Sequence, residues 1–251
     1  MLMDTQTEIV YQVPMEETNL KCHFNEFFKC FCTENSGRFV SGILSPSINA
    51  RIGISEAIED DLQFFREQNM PFCWYIDEES NPGFKQRLLA ARFKDLGVFK
   101  GMIARLDRSF PTQLQRECTI ELVQDTALMN KFAALICLIF SITGQAADQY
   151  EQALWERPGI YNWVLKKEGK IIAALSTFIE GTVVSVWNVA TDPTFRRQGY
   201  CNELWKAALN DAILNGCQTS MTYLTSEGMA YGICKGLGYE TKWQFHAYLC
   251  P

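Results

Sequence analysis

The chain has 251 residues, 47% of them hydrophobic and 21% charged, with a formal net charge of −6 at pH 7. Such a composition describes a globular protein of one large domain or two of ordinary size. The acidic balance argues against a nucleic-acid surface, and the longest apolar stretch, "FAALICLIF" at 132–140, is about half of the ~20 residues a membrane span needs.

The opening "MLMDTQTEIVYQ" carries an acid early and no apolar core, so no signal peptide is expected and the reducing cytoplasm is the expected compartment. In the first half, "RFVSGIL" at 38–44 reads as a strand. The segment 55–69 reads as a helix with Ser55 as its cap and Ile58, Leu62 and Phe65 at helical spacing. "PFCWYI" at 71–76 is an aromatic strand, and "DEESNPG" at 77–83 a loop. A helix is expected over 84–96, ended by Gly97, and a strand over 98–106. The polar, proline-bearing "DRSFPTQLQRE" at 107–117 is the expected seam. It sets a domain over 1–110, a linker over 111–117 and a second domain over 118–251.

In that second domain "CTIELV" is a strand, and Asp125 can cap a helix through "ALMNKFAALICLIF". A further helix, "QAADQYEQALWE", stops at Pro158. Residues 160–192 read as three strands joined at Glu168–Gly169 and Glu180–Gly181, each turn with the glycine a tight hairpin favours. The helix after Gly199 carries Cys201, Leu204, Trp205, Ala208 and Ala212 on one stripe and ends near Gly216. "QTSMTYLT" is a strand, "EGMAYGICKG" a short helix and "YETKWQFHAYL" a closing strand. The order β-α-α-β-β-β-α-β-α-β implies helices packed on a sheet, an α/β architecture.

The ten cysteines form no C-x-x-C pair, and His23 and His246 are the only histidines. No metal site is expected, and thiols inside apolar runs behave as small hydrophobes.

"VATDPTFRRQGYCNELW" resembles the acyl-CoA loop of the GNAT N-acetyltransferases, Q/R-x-x-G-x-G/A between a strand and a long helix. Arg196, Gly199 and Cys201 occupy its three defining places, Val189 and Pro193 match residues usual before it, and "GLGY" at 236–239 resembles the family's closing Leu-Gly-Phe. The element order is also the family's, so the resemblance covers roughly 118–251. The resemblance implies a mixed central sheet flanked by helices, acetyl-CoA as co-substrate and no metal. It assigns the pyrophosphate to the helix start at Arg196, Arg197, Gln198, Gly199, Tyr200, Cys201 and Asn202, where unpaired amides and the helix dipole favour an anion. Pantetheine is expected along the backbone of Trp187, Asn188, Val189, Ala190 and Thr191. Cys201 stands where the family prefers glycine or alanine.

The reaction implied is direct attack of a neutral amine on the thioester. It needs a route for the amine proton, donors for the developing oxyanion and an acid for the leaving thiolate. Counting five residues back from Tyr239, where relatives carry a tyrosine acid, gives Cys234. Cys234 itself, Tyr231 three positions earlier, and no side-chain acid at all are the three readings. Asn188 and Glu227 are candidates for oxyanion or substrate contacts, although a carboxylate opening a helix also serves as a cap.

"MPFCWYIDEESNPGFKQRLLAARFKDLGVFKGMIARL" resembles the N-terminal domain of two-domain GNAT proteins, a degenerate copy of the fold. Trp74, Pro82, Leu88, Leu89, Gly97, Gly101 and Met102 match, with Val98 in place of an aromatic, and no phosphate-loop signature occurs in 1–110. This half is expected to wall the substrate cleft or to form a subunit interface, as in a homodimer. The expected function is acetyl transfer to the primary amine of a small molecule, with no nucleic-acid or membrane partner. The alternative is an acyl-CoA-binding sensor or scaffold with little activity. Transfer of a longer acyl group depends on the width of the pocket near Trp163 and Trp187.

Overall fold

The structure, a computed structural model, describes residues 83–140, 159–225 and 228–249, together with the backbone of four strand segments before them. The helices expected over 55–69 and 145–156, most of the loop at 77–83, and Glu227 lie outside the described residues. The chain divides into two compact units, Met1–Val13 with Gly101–Lys242 and Pro14–Lys100 with Trp243–Pro251.

The latter unit holds β1 (Lys21–Phe24), β2 (Lys29–Cys32), β3 (Gly42–Ser45) and β4 (Cys73–Ile76), followed by helix α1 (Phe84–Ala90) and the start of β5 (Lys94–Arg105). Strands β1, β2 and β3 pair antiparallel, and β3 pairs parallel with β4. The helix expected over 84–96 is shorter than its apolar pattern. It closes on Arg92 at φ 67, where Arg92 N–H donates to Leu89 C=O (3.0 Å) and Phe93 N–H to Leu88 C=O (2.9 Å). This is the paired-bond C-terminus usually built on glycine, and the burial of Leu88 and Phe93 accompanies it. Gly97 therefore ends no helix. It sits inside β5 at φ 88, its N–H on the Asp95 carboxylate (2.7 Å).

The other unit runs from the end of β5 through β6 (Cys118–Leu122), α2 (Thr126–Phe140), β7 (Ile160–Lys167), β8 (Lys170–Glu180) and β9 (Val183–Thr191). A 3-10 turn (Pro193–Phe195), α3 (Tyr200–Leu214), β10 (Thr219–Thr225), α4 (Met229–Gly236) and β11 (Glu240–Leu249) follow. Its strands lie in the order β5-β10-β9-β8-β7-β6. Pairing is antiparallel from β6 to β9 and parallel between β9 and β10. The end of β11 returns to the other unit, antiparallel to β4.

Alternation along the strands supplies two buried faces. On one, Leu128, Met129, Phe132 and Ile136 of α2 pack with Val164, Ala174 and Ala190. On the other, Leu204, Trp205 and Ala208 of α3 pack with Leu165, Leu175, Val184 and Val186. Burying each large side chain of such a stripe contributes about 1.5–3 kcal/mol. Helix α2 begins on Asp125, whose carboxylate accepts from Leu128 N–H (2.7 Å). Helix α3 ends on Gly216 at φ 85. The segment expected as a seam is pinned to α3: Phe110 N–H donates to Asn210 Oδ1 (2.7 Å), and Asn210 Nδ2 donates to Phe110 C=O (2.8 Å). Among the described residues, no helix is long and apolar enough to cross a membrane.

Candidate functional site

Two neighbouring parallel strands part company at the centre of the Gly101–Lys242 unit. β9 and β10 are in register at Val183–Thr219, Val184–Ser220 and Ser185–Met221, and their pairing stops there. At the fork the Thr222 hydroxyl donates to Val186 C=O (2.8 Å), satisfying the first carbonyl left without a strand partner. Beyond it the backbone of β9 borders an opening instead of a strand. β9 is also irregular on its other side. Ala190 pairs with Ala174 of β8 and Trp187 with Ser176, so Asn188 and Val189 together face the single residue Leu175. Asn188 takes the left-handed conformation, φ 53, that this bulge requires.

From Thr191 the chain turns into the loop that opens α3. The Asp192 carboxylate accepts from Thr194 N–H (3.0 Å), Thr194 Oγ1 (2.6 Å) and Lys170 Nζ (2.7 Å). The Lys170 bond first, then those from Thr194, hold its pKa down at about 2. Arg196 folds back, its Nε donating to Thr191 C=O (3.2 Å). Arg197 at φ 62 and Gly199 at φ 84 then reverse the chain. A Cβ at Gly199 would meet no atom within 4 Å, so what demands glycine is the backbone conformation and not lack of room. Helix α3 starts at once. Glu203 N–H closes onto Gly199 C=O (3.1 Å), and no side chain caps the helix. A serine or aspartate cap would occupy the first amides, whereas glycine leaves them and the positive end of the dipole for a ligand.

The β7–β8 hairpin holds this loop at both ends. Lys170 reaches Asp192 and lies over the Phe195 ring (5.3 Å). Lys167 Nζ donates to Tyr200 Oη (2.9 Å), which in turn donates to Gln115 Oε1 (3.0 Å). Nothing in "KKEGK" announces this by itself, because the contact spans more than twenty residues.

Fork and loop border one cleft of about 490 Å³. Val189, Thr191, Arg196, Arg197, Gly199, Tyr200, Cys201 and Asn202 line it. Gln198 is exposed and absent from the lining, its Nε2 turned back to Thr194 C=O (3.4 Å), and Ala190 is buried among the α2-side residues. Sequence reasoning passed over the opposite wall, Leu224, Thr225, Gly228, Met229, Ala230 and Ile233, and also Phe195 and Ile139. Its only signal is the apolar start of "MAYGIC", which reads equally as core. The Cys201 thiol is pushed up to about 11 by burial, opposed by a hydrogen bond with Thr191.

The acid candidates lie elsewhere. Cys234 is fully buried and absent from the lining, and burial, with Cys201 adding, pushes its thiol up to about 12. Tyr231 is half-buried and also absent from the lining. No carboxylate lines the cleft among the described residues. Trp187, beside the bulge, buries its Nε1–H without a hydrogen-bond partner. No group of three or more potential metal ligands occurs among the described residues.

Residues 129–232 match the model of the Acetyltransferase (GNAT) family. No curated protein matches the chain. Among solved structures, the fold is similar to a GCN5-related N-acetyltransferase from Kribbella flavida at 14% identity and TM-score 0.72, covering 100% of this chain and 94% of that one. A GCN5-related N-acetyltransferase from Sphaerobacter thermophilus is similar at 10% identity and TM-score 0.69, covering 91% and 81%. A tandem GNAT protein from the clavulanic acid biosynthesis pathway is similar at 12% identity and TM-score 0.64, covering 89% and 78%.

Proposed function

We propose that the GNAT acetyltransferase domain of this chain binds acetyl-CoA in the β9–β10 cleft and transfers its acetyl group to the primary amine of a small molecule. One observation carries the reading: an uncapped helix start behind a left-handed glycine opens into the same cleft as an unpaired strand edge. The first suits a diphosphate, which needs converging N–H donors and close backbone approach. The second suits a secondary amide arm, which can add to the edge as a short strand would. Arg196 and Arg197 on the lining add charge-assisted contacts to phosphate oxygens. Acetyl-CoA, when bound, supplies the activated acyl group. The chain's contribution is to orient it, to exclude water along the apolar wall of Leu224, Met229 and Ile233, and to present backbone N–H groups to the carbonyl oxygen as it gains charge.

The test is calorimetric titration with acetyl-CoA, followed by thiol release across a panel of primary amines. Micromolar binding with amine-dependent thiol release is the expected result, and absence of binding would end the proposal. A second reading, an acyl-CoA sensor with little activity, draws on the buried Cys234 and on the lack of a lining carboxylate among the described residues. Binding without turnover on any amine would favour it.

A further inference from the structure

Three polar side chains, one from each of three adjacent strands, form a hydrogen-bonded chain that ends on the bulge. Asn188 Nδ2 on β9 donates to Ser176 Oγ on β8 (3.0 Å), and Ser176 Oγ donates to Asn162 Oδ1 on β7 (2.7 Å). Ser176 is fully buried and Asn162 is 4% exposed. Polar side chains at the centre of a sheet are costly to bury and persist where they fix one conformation among several.

The conformation at issue can be read from strand parity. Val186 and Ala190 are four residues apart, yet Val186 packs in the α3-side core and Ala190 in the α2-side core. A regular strand would put both on one face. The carbonyls tell the same story. Val186 C=O accepts from Thr222 of β10 and Thr191 C=O from Arg196, both away from β8, although the two stand five residues apart, an odd offset. Asp192 N–H, by contrast, bonds Ile172 C=O of β8 (2.9 Å). The extra residue at Asn188 thus reverses the parity. Val189, two before Thr191, turns its backbone N–H and C=O to the cleft instead of to β8. Without the bulge those groups would pair into the sheet.

Resting on the acetyltransferase reading for its functional side, we propose that Ser176 and Asn162 are positioning residues. Through the Asn188 amide they hold the extra residue of β9 left-handed and so keep the Val189 backbone aimed into the cleft. Asparagine tolerates that region better than other side-chain-bearing residues, and its amide is bound in place by Ser176. Neither Ser176 nor Asn162 lines the cleft.

Three variants separate the possibilities: Ser176→Ala breaks the chain, Asn188→Gly keeps the left-handed backbone but loses the amide, and Asn188→Ala loses both. Amide hydrogen exchange on the ligand-free protein reads the lock without needing activity. Faster exchange confined to peptides over 186–191 is expected in Ser176→Ala and Asn188→Ala, with α3 unchanged. Thiol release from acetyl-CoA, with water or an amine as acceptor, reads the consequence. A fall in kcat/KM for acetyl-CoA of roughly tenfold is expected for Ser176→Ala, shared between rate and affinity because the same β9 backbone is proposed to hold the pantetheine arm. Asn188→Gly should fall less than Asn188→Ala, and adding Ser176→Ala to Asn188→Gly should cost little more, because both cut one link. Unchanged exchange at 186–191 in Ser176→Ala and Asn188→Ala would overturn the proposal, as would an unchanged kcat/KM for acetyl-CoA. Failure of the wild type to bind acetyl-CoA would instead sink the functional reading, and the exchange arm would still decide whether the lock exists.

Discussion

The Asp192 carboxylate and Lys170 Nζ lie 2.7 Å apart and join the loop before α3 to the start of β8. Lys170 chiefly, and Thr194 after it, depress the Asp192 pKa to about 2 from 3.8. A depressed acid contributes stability that is fully present above its unfolded pKa and lost as pH falls through its folded one. The contribution is therefore present at pH 5 and above and fades between about pH 4 and pH 2. Lys170 is largely exposed, so solvent weakens the pair, and the hydroxyl and amide of Thr194 supply much of what remains. Asp192→Asn is expected to melt below the wild type at pH 7, and the gap should close as pH drops from 4 to 2. Melting curves across that range check it, and a gap independent of pH would assign the effect to packing.

Gly199→Ala tests the helix start. At φ 84 an L side chain costs about 1–2 kcal/mol, and no neighbouring atom obstructs the added methyl. The cost is thus conformational, and it falls on the amides proposed to hold the diphosphate. Acetyl-CoA affinity should drop about tenfold or more, with a small loss of melting temperature. Equal losses of affinity and stability in a variant remote from the loop, such as Gly216→Ala at φ 85, would show that the effect is not local.

What the sequence discloses depends on how far apart the determining residues stand. The loop and α3 are legible because Arg196, Gly199 and the stripe beginning at Cys201 fall within a few turns of one another. The end of α1 misleads, because Arg92 adopts the left-handed geometry that a reader assigns to the next glycine, Gly97. The bulge is invisible in "VVSVWNVAT". Its causes, Ser176 and Asn162, lie 12 and 26 residues away on other strands and look there like ordinary polar strand positions. The far wall of the cleft is hidden for a similar reason. An apolar helix start such as Met229–Ile233 reads as core until the fork between β9 and β10 shows that part of it borders an opening.

Cys234→Ala and Tyr231→Phe address the proton on the leaving thiolate. A fully buried thiol raised to about 12 by loss of solvent is a poor donor at neutral pH and does not line the cleft. Cys234→Ala is expected to retain kcat within about threefold and to lose stability from the small cavity it leaves. The thiol should also resist alkylation in the folded protein, since the thiolate is the reactive form. A hundredfold loss of kcat with an intact melting curve would restore Cys234 as the acid, and the same outcome for Tyr231→Phe would select the tyrosine.

Tyr239 ties α3 to β10 through one buried hydroxyl. Trp205 Nε1 donates to it (3.1 Å), and Ser220 Oγ lies 2.5 Å from it. Trp205 and Ser220 are fully buried and Tyr239 is 1% exposed. Removing the hydroxyl strands two partners where water cannot replace it, at about 1–3 kcal/mol for each unsatisfied group. Trp205→Phe strands none, because Tyr239 keeps Ser220, and loses mainly the volume of the indole. Tyr239→Phe, although it deletes a single oxygen, should therefore destabilise as much as Trp205→Phe or more. Urea unfolding of the two variants and of the pair measures the order. A Tyr239→Phe variant as stable as the wild type would mean that the hydroxyl carries no net stabilisation, and that the aromatic edge contact of Trp205 with the Tyr239 ring, at 5.9 Å between centroids, suffices to hold α3 in place.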